Sequence, residues 1–172
     1  MNVFQTDYPL HLFHHGENFK TYELMGAHPA TEKRKRGYVF RVWAPRAQAV
    51  YVIGSFNNWD ESAHLMQKMI DGETFELFIP NVQAYDEYKF LIHTKDGRKL
   101  YKADPYAFHA ETPKKDISNA SKIYDLDGFE WTDGEYFKNI SNKNVYTSPV
   151  NVYEVNLLSW QRREDGGFYT YR

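Results

Sequence analysis

Gly37-Tyr38-Val39-Phe40-Arg41-Val42-Trp43-Ala44-Pro45 is the stretch on which the fold is decided. Tyr38, Phe40 and Val42 alternate with Val39, Arg41 and Trp43. A period of two puts one set of side chains on each face of a strand. Pro45 closes the run. Working outward, residues 49–53 form a second β-rich run that ends at Gly54, and residues 55–60 carry turn residues around Phe56 and Trp59. Residues 74–79 alternate again and stop at Pro80; residues 88–93 are the next strand. Asp96-Gly97 behind it is a strong hairpin signal. Residues 99–102 return from that hairpin, Asp104-Pro105 stops them, and residues 122–126 give one more strand. Short strands with turn signals about every ten residues predict an all-β, immunoglobulin-like antiparallel sandwich. No long helical pattern separates the strands, which argues against a parallel sheet with crossover helices.

The flanks read differently. Leu10, Phe13, Phe19, Tyr22 and Leu24 or Met25 give a broken apolar spacing interrupted by Gly16, which predicts helix over residues 10–26. His28-Pro29 ends it, because the residue before a proline is pushed out of the helical region. Residues 32–36 then read as a charged connector. After Leu126 the chain becomes aromatic and polar. Residues 150–157, Val-Asn-Val-Tyr-Glu-Val-Asn-Leu, read as a clean β-run followed by a hydrophilic tail. A strand in that position has an edge needing a partner. The expected organisation is a helical N-terminal extension over 1–30, a sandwich over 31–126, and a connector with an orphan strand over 127–172.

Composition narrows the class. The chain has 172 residues, enough for about one domain with its own core. Aromatics make up 17% of it. There are 21 basic and 23 acidic residues, which argues against attachment to nucleic acid or anionic lipid by overall charge. The absence of cysteine excludes disulfides, thiolate catalysis and cysteine-based zinc sites. No apolar run approaches the ~20 residues of a membrane span. Met1 to Leu12 contains Asp7 and Pro9 and lacks the layout of a signal peptide. The expectation is a soluble, cytoplasmic domain.

Phe40, Val42, Val50, Val52, Phe75, Leu77 and Phe90 are ordinary core candidates. Trp59 follows Asn57-Asn58 and belongs to no alternating run, so it is either a structural ring or an exposed flat face for a ligand. His11, His14 and His15 lie at helical spacing near Glu17, but the His-Glu-x-x-His pattern is absent and a solvated helix face accounts for them better than a metal site. The basic run at residues 33–36 follows Glu32 and reads as a solvated loop. There is no glycine-rich phosphate loop and no Gly-x-Ser-x-Gly elbow. No cofactor, metal or catalytic set is visible, so binding is favoured over catalysis.

Phe40-Arg41-Val42-Trp43-Ala44-Pro45 and Gly54-Ser55-Phe56-Asn57-Asn58-Trp59 resemble the N-terminal glycogen-binding module, carbohydrate-binding module family 48 type, of α-glucan branching enzymes. Further matches follow in order: Leu24-Met25-Gly26-Ala27-His28, Glu76-Leu77-Phe78-Ile79-Pro80, Tyr88-Lys89-Phe90, Lys102-Ala103-Asp104-Pro105-Tyr106, and Asn119-Ala120-Ser121. Val152-Tyr153-Glu154-Val155 with Ser159-Trp160 is similar to the first strand of the catalytic (β/α)8 barrel of the same enzymes.

The resemblance implies an α-glucan partner (glycogen, starch or malto-oligosaccharides) and an intramolecular barrel as the second partner. Trp59 matches a tryptophan that stacks on a glucose ring, and Lys89 a lysine that donates to sugar hydroxyls. Tyr101 stands where a second stacking tryptophan is usual, and Asn119 matches a downstream sugar-binding asparagine. It implies that the catalytic Asp and Glu residues lie on the barrel, beyond Arg172, so this chain alone is expected to be inactive. Asn156-Leu157-Leu158-Ser159-Trp160 departs from the usual His-Leu-Gly-Ser-Trp. That leaves room for a debranching or trehalose-forming relative. The other reading is a docking module with no sugar site of its own.

Overall fold

The computed structural model describes residues 4–112, 119–127, 129–141, 144, 146–156 and 160–169. The chain divides into two compact units, Met1–Phe129 and Glu130–Arg172.

The first unit begins with α1 (Phe4–His14) and the single turn α2 (Thr21–Leu24). Helix does not reach residue 26. β1 (Gly26–Glu32) starts there and pairs antiparallel with β2 (Lys35–Trp43), from Gly26 opposite Arg41 to Glu32 opposite Lys35. Pro29 is accommodated because β1 is an edge strand, where a missing N–H costs no ladder bond. The expected charged connector at 32–36 is instead the tip of this hairpin. Lys33 and Arg34 both sit at positive φ, 48° and 66°, the conformation that lets a two-residue turn match strand twist. The sheets therefore begin at residue 26 rather than 31.

β3 (Ala47–Gly54), β4 (Gln67–Lys68), β5 (Thr74–Pro80), β6 (Glu87–Thr94), β7 (Lys99–Lys102), β8 (His109–Ala110) and β9 (Ser121–Lys122) complete the unit. One antiparallel sheet has the order β1-β2-β5-β4; the other has the order β3-β6-β9-β8, with β7 also on β6. Between them lies one core. Phe40, Val42, Phe75 and Ile79 from the first sheet meet Val50, Val52, Tyr88 and Phe90 from the second, and Leu77 packs at its margin. Phe40 and Tyr88 touch edge-to-face across the gap, ring centroids 5.1 Å apart. The hairpin expected at Asp96-Gly97 joins β6 to β7, with Gly97 at φ 84°. The strand expected at 122–126 is shorter, and no described residue beyond Lys122 extends it.

The outer face of β2 is not wet. Val39 and Arg41 are 5% and 2% exposed. Arg41 donates to the Leu24 carbonyl at 3.3 Å and pairs with Glu76 at 2.5 Å. Leu10, Leu24 and Met25 form a second apolar cluster with Phe13, Met69 and Tyr106. Phe13 meets Trp43 edge-on, and His14 Nε2 lies 2.9 Å from Asp71. The N-terminal segment is thus a lid on one face of the sandwich. Phe19, read as part of its apolar stripe, points away and is almost fully exposed.

The second unit holds α3 (Gly134–Ile140) and an isolated bridge between Arg162 and Phe168, where the guanidinium lies 4.2 Å from the ring centre. Residues 150–156 are not a strand, and Val150, Val152 and Tyr153 are exposed. Leu157 lies outside the described residues. An alternating run becomes a strand only against a neighbour, and the described residues give it none.

Candidate functional site

β3 ends at Gly54 because only glycine fits there: a Cβ would come within 2.2 Å of the Glu87 carbonyl on β6. A 3-10 turn, Ser55–Asn57, follows. Asn57 organises it. Its Oδ1 accepts from the Gly54 N–H at 2.9 Å, and its Nδ2 donates to the Val52 carbonyl at 3.2 Å and to His64 Nδ1 at 2.8 Å. Burial lowers the His64 pKa, with Asp60 opposing, which favours the neutral ring that the accepting Nδ1 requires. Asn58 and Trp59 then both take positive φ, 53° and 60°. For a bulky side chain that conformation is strained. The Trp59 N–H returns to the Gly54 carbonyl at 2.9 Å, and its indole, 38% exposed, has no hydrogen-bond partner among the described residues.

Lys89 and Tyr101 share a face. Tyr88 and Phe90 point into the core, so Lys89, Leu91 and His93 point outward. Tyr101 pairs with Leu91, which pairs on its other side with Tyr51. Lys89 stands where the edge partner of β6 changes from β9, opposite Tyr88, to β7, opposite Phe90. Tyr101 is 44% exposed.

The Trp59 loop reaches this face through a residue that sequence reasoning missed. Glu61 accepts from Tyr101 Oη at 2.5 Å and from Lys99 Nζ at 2.5 Å. These hydrogen bonds, Lys99 first and Tyr101 second, hold the Glu61 pKa below the usual carboxylate value. The loop then returns to the free edge of β3, where Val52 N donates to the His64 carbonyl and Leu65 bridges Tyr51. The Glu61 bonds to Lys99 and Tyr101 bring the loop over this outer face, where Ile53 and Leu91 are buried, 3% and 0% exposed. Glu61 had no local signal, because its partners lie 38 and 40 residues away.

Asn119 is half-buried just before β9, and its side chain has no hydrogen-bond partner among the described residues. No strand pairing puts it on the Lys89–Tyr101 face. Its neighbourhood is fixed by Asp104, which accepts from Tyr88 Oη at 2.7 Å and whose N–H donates to Ser121 Oγ at 2.8 Å. Burial pushes the Asp104 carboxyl above its ordinary pKa. A cavity of about 670 Å³ lies elsewhere, at the β1–β2 hairpin beside Asn81 and Gln83, and none of the four candidate residues lines it. Among the described residues no three His, Asp or Glu side chains converge as a metal site would require.

The antiparallel sandwich puts Lys89 and Tyr101 on one outer face, and comparison with known proteins bears on the class. Residues 24–107 match the family described as Carbohydrate-binding module 48 (Isoamylase N-terminal domain), and this part of the chain belongs to that family. The whole chain is 46% identical over 173 residues to the 1,4-alpha-glucan branching enzyme GlgB of Butyrivibrio fibrisolvens, covering 99% of this chain and 27% of that one. It is 46% identical over 167 residues to the same enzyme of Halothermothrix orenii, covering 97% and 26%. The chain thus spans about a quarter of the length of these relatives, at their N-terminal end. Among solved structures it is similar to a pullulanase from Bacillus acidopullulyticus, with 24% identity, a TM-score of 0.44, and 60% of this chain and 12% of that chain covered.

Proposed function

We propose that this chain binds and positions α-glucan for a 1,4-α-glucan branching enzyme of which it is the N-terminal part. The supporting observation is the outer face of β3, β6 and β7, which carries Lys89 and a partly exposed Tyr101 and to which Glu61 ties the loop bearing the partly exposed Trp59. The apolar C–H faces of a glucose residue stack on such rings. A lysine ammonium, with three donors and no acceptor, suits ring hydroxyls. Asn119 adds a donor and an acceptor near the β6–β9 junction. A platform this shallow buries little of its ligand, so affinity falls roughly in the micromolar to millimolar range. The parent enzyme cuts an α-1,4 chain and rejoins it through an α-1,6 bond in the cytoplasm. Its catalytic carboxylates lie on a barrel outside this chain, and the fragment by itself does not turn over glucan.

A second reading has one observation in its favour. Tyr85, His109 and Tyr124 form a mutual edge-to-face cluster, with centroids 5.5 to 5.9 Å apart, on the surface by β8 and β9. Such a ring cluster suits docking against the barrel. Titrating maltoheptaose while following tryptophan fluorescence separates the two. The glucan reading expects a saturable change that Trp59→Ala removes. A wild-type chain that shows no binding leaves only the docking reading.

A further inference from the structure

We propose that Glu61 is the positioning residue of the glucan-binding face: it latches the loop carrying Trp59 onto β7 and so sets that ring relative to Tyr101. The inference rests on the glucan reading of this face and goes beyond it, because Glu61 itself need touch no sugar.

The loop needs a latch. Asn58 and Trp59 occupy left-handed backbone, which relaxes unless the surroundings over-determine it. At its start the loop is held by Asn57 and by the Trp59 N–H, and at its end by His64 and Leu65 on β3. These anchors lie on the β3 side, and Ser55 ties the start of the loop to Asp86 and Glu87 at the head of β6. Glu61 supplies the crossing to the far side of β6. Adjacent strands are about 4.8 Å apart, so reaching β7 from β3 means spanning roughly 10 Å of sheet. One carboxylate does this with both oxygens, one to the Tyr101 hydroxyl and one to the Lys99 ammonium. Bonds to ionised groups are the stronger kind, and two from one carboxylate fix direction as well as distance.

The same contact explains why tyrosine at 101 is more than a smaller tryptophan. Its ring is left for the ligand while its hydroxyl is engaged by the loop. The ring–ring geometry is therefore set by a hydrogen bond from one stacking residue to the loop of the other. Asp60, next to Glu61, is already committed to the N–H and hydroxyl of Ser62, so it does not substitute for Glu61.

Three variants test the latch: Glu61→Ala, Glu61→Gln and Tyr101→Phe. Amide exchange at Trp59 in the ligand-free protein reports the loop, maltoheptaose titration reports the face, and the urea midpoint controls for folding. Glu61→Ala is expected to speed Trp59 amide exchange and weaken maltoheptaose binding, each by roughly 5- to 10-fold, with the urea midpoint unmoved. Glu61→Gln keeps an acceptor for Tyr101 but loses the ion pair, so it falls between. Tyr101→Phe keeps a stacking face yet loosens the loop as Glu61→Gln does. Unchanged Trp59 exchange in Glu61→Ala overturns the latch, as does wild-type affinity in that variant; both leave the glucan reading standing. Faster exchange in a protein that binds no maltoheptaose in its wild-type form sinks the glucan reading instead.

Discussion

Each outer face of the sandwich has a cover, and the two covers are built on different physics. Over β2, the N-terminal segment buries Leu10, Leu24 and Met25 and satisfies Arg41 from the Leu24 carbonyl. It is attached mainly by apolar area, which is non-directional. Over the second sheet, where Ile53 and Leu91 are buried, the loop between Gly54 and Leu65 is tied to β7 by one carboxylate. That second cover leaves two large rings partly accessible and carries two successive residues at positive φ, one of them a tryptophan. Elements that meet ligands are drawn from the less stable end of a fold. The contrast identifies the first cover as part of the structure and the second as the adjustable one.

Three changes press on this contrast. Leu24→Ala removes a side chain that is 5% exposed under the first cover and should cost about 2–4 kcal/mol in urea unfolding, with maltoheptaose affinity retained. A loss of sugar binding equal to that of Trp59→Ala would mean that the two covers are one unit. Asp71→Asn acts on the seam between α1 and the first sheet. Burial works to raise the Asp71 pKa, but hydrogen bonds from Thr74 and then His14 outweigh it, so the folded value lies below the ordinary one. Its contribution is therefore present above the unfolded value and lost as pH falls through the folded one. The variant should lose about 1–2 kcal/mol at pH 7, and the gap should close progressively as the pH falls below about 4 and through the folded value. A gap that widens in acid would reverse the assignment. Smallest of all, Lys99→Met should leave the urea midpoint where it was, because the ion pair is solvent-screened. It should nonetheless raise Trp59 amide exchange. An equal loss of stability would make the second cover as structural as the first.

Much of the sandwich was legible because alternation is a local signal. Phe40, Val42, Val50, Val52, Phe75 and Phe90 are all buried as their spacing required, and Asp96-Gly97 turned the chain where expected. What escaped depends on contacts distant in sequence. Arg41 reads as a wet position until Leu24 is seen above it. Lys33-Arg34 lacks the Asn-Gly signal of a tight hairpin, and the pairing of β1 with β2 imposes the turn despite the residues. The β-run at 150–157 shows the converse: a good local pattern is not a strand without a partner. At the candidate site Trp59 stood out by breaking the alternation, and Lys89 and Tyr101 prove to share a face by register. Glu61 was illegible because its role exists only after β7 has folded beside β6.

The first cover has a consequence for synthesis. Leu10 is made early, yet its cluster includes Met69 and Tyr106, and His14 meets Asp71. At about 5–20 residues per second, roughly 5–20 seconds separate the emergence of Leu10 from that of Tyr106. Until Met69 emerges, Leu10 can meet only Phe13, Leu24 and Met25 of its cluster, while the β1–β2 hairpin can already close. On the ribosome the N-terminal helix therefore completes its cluster only after strands made long after it have emerged.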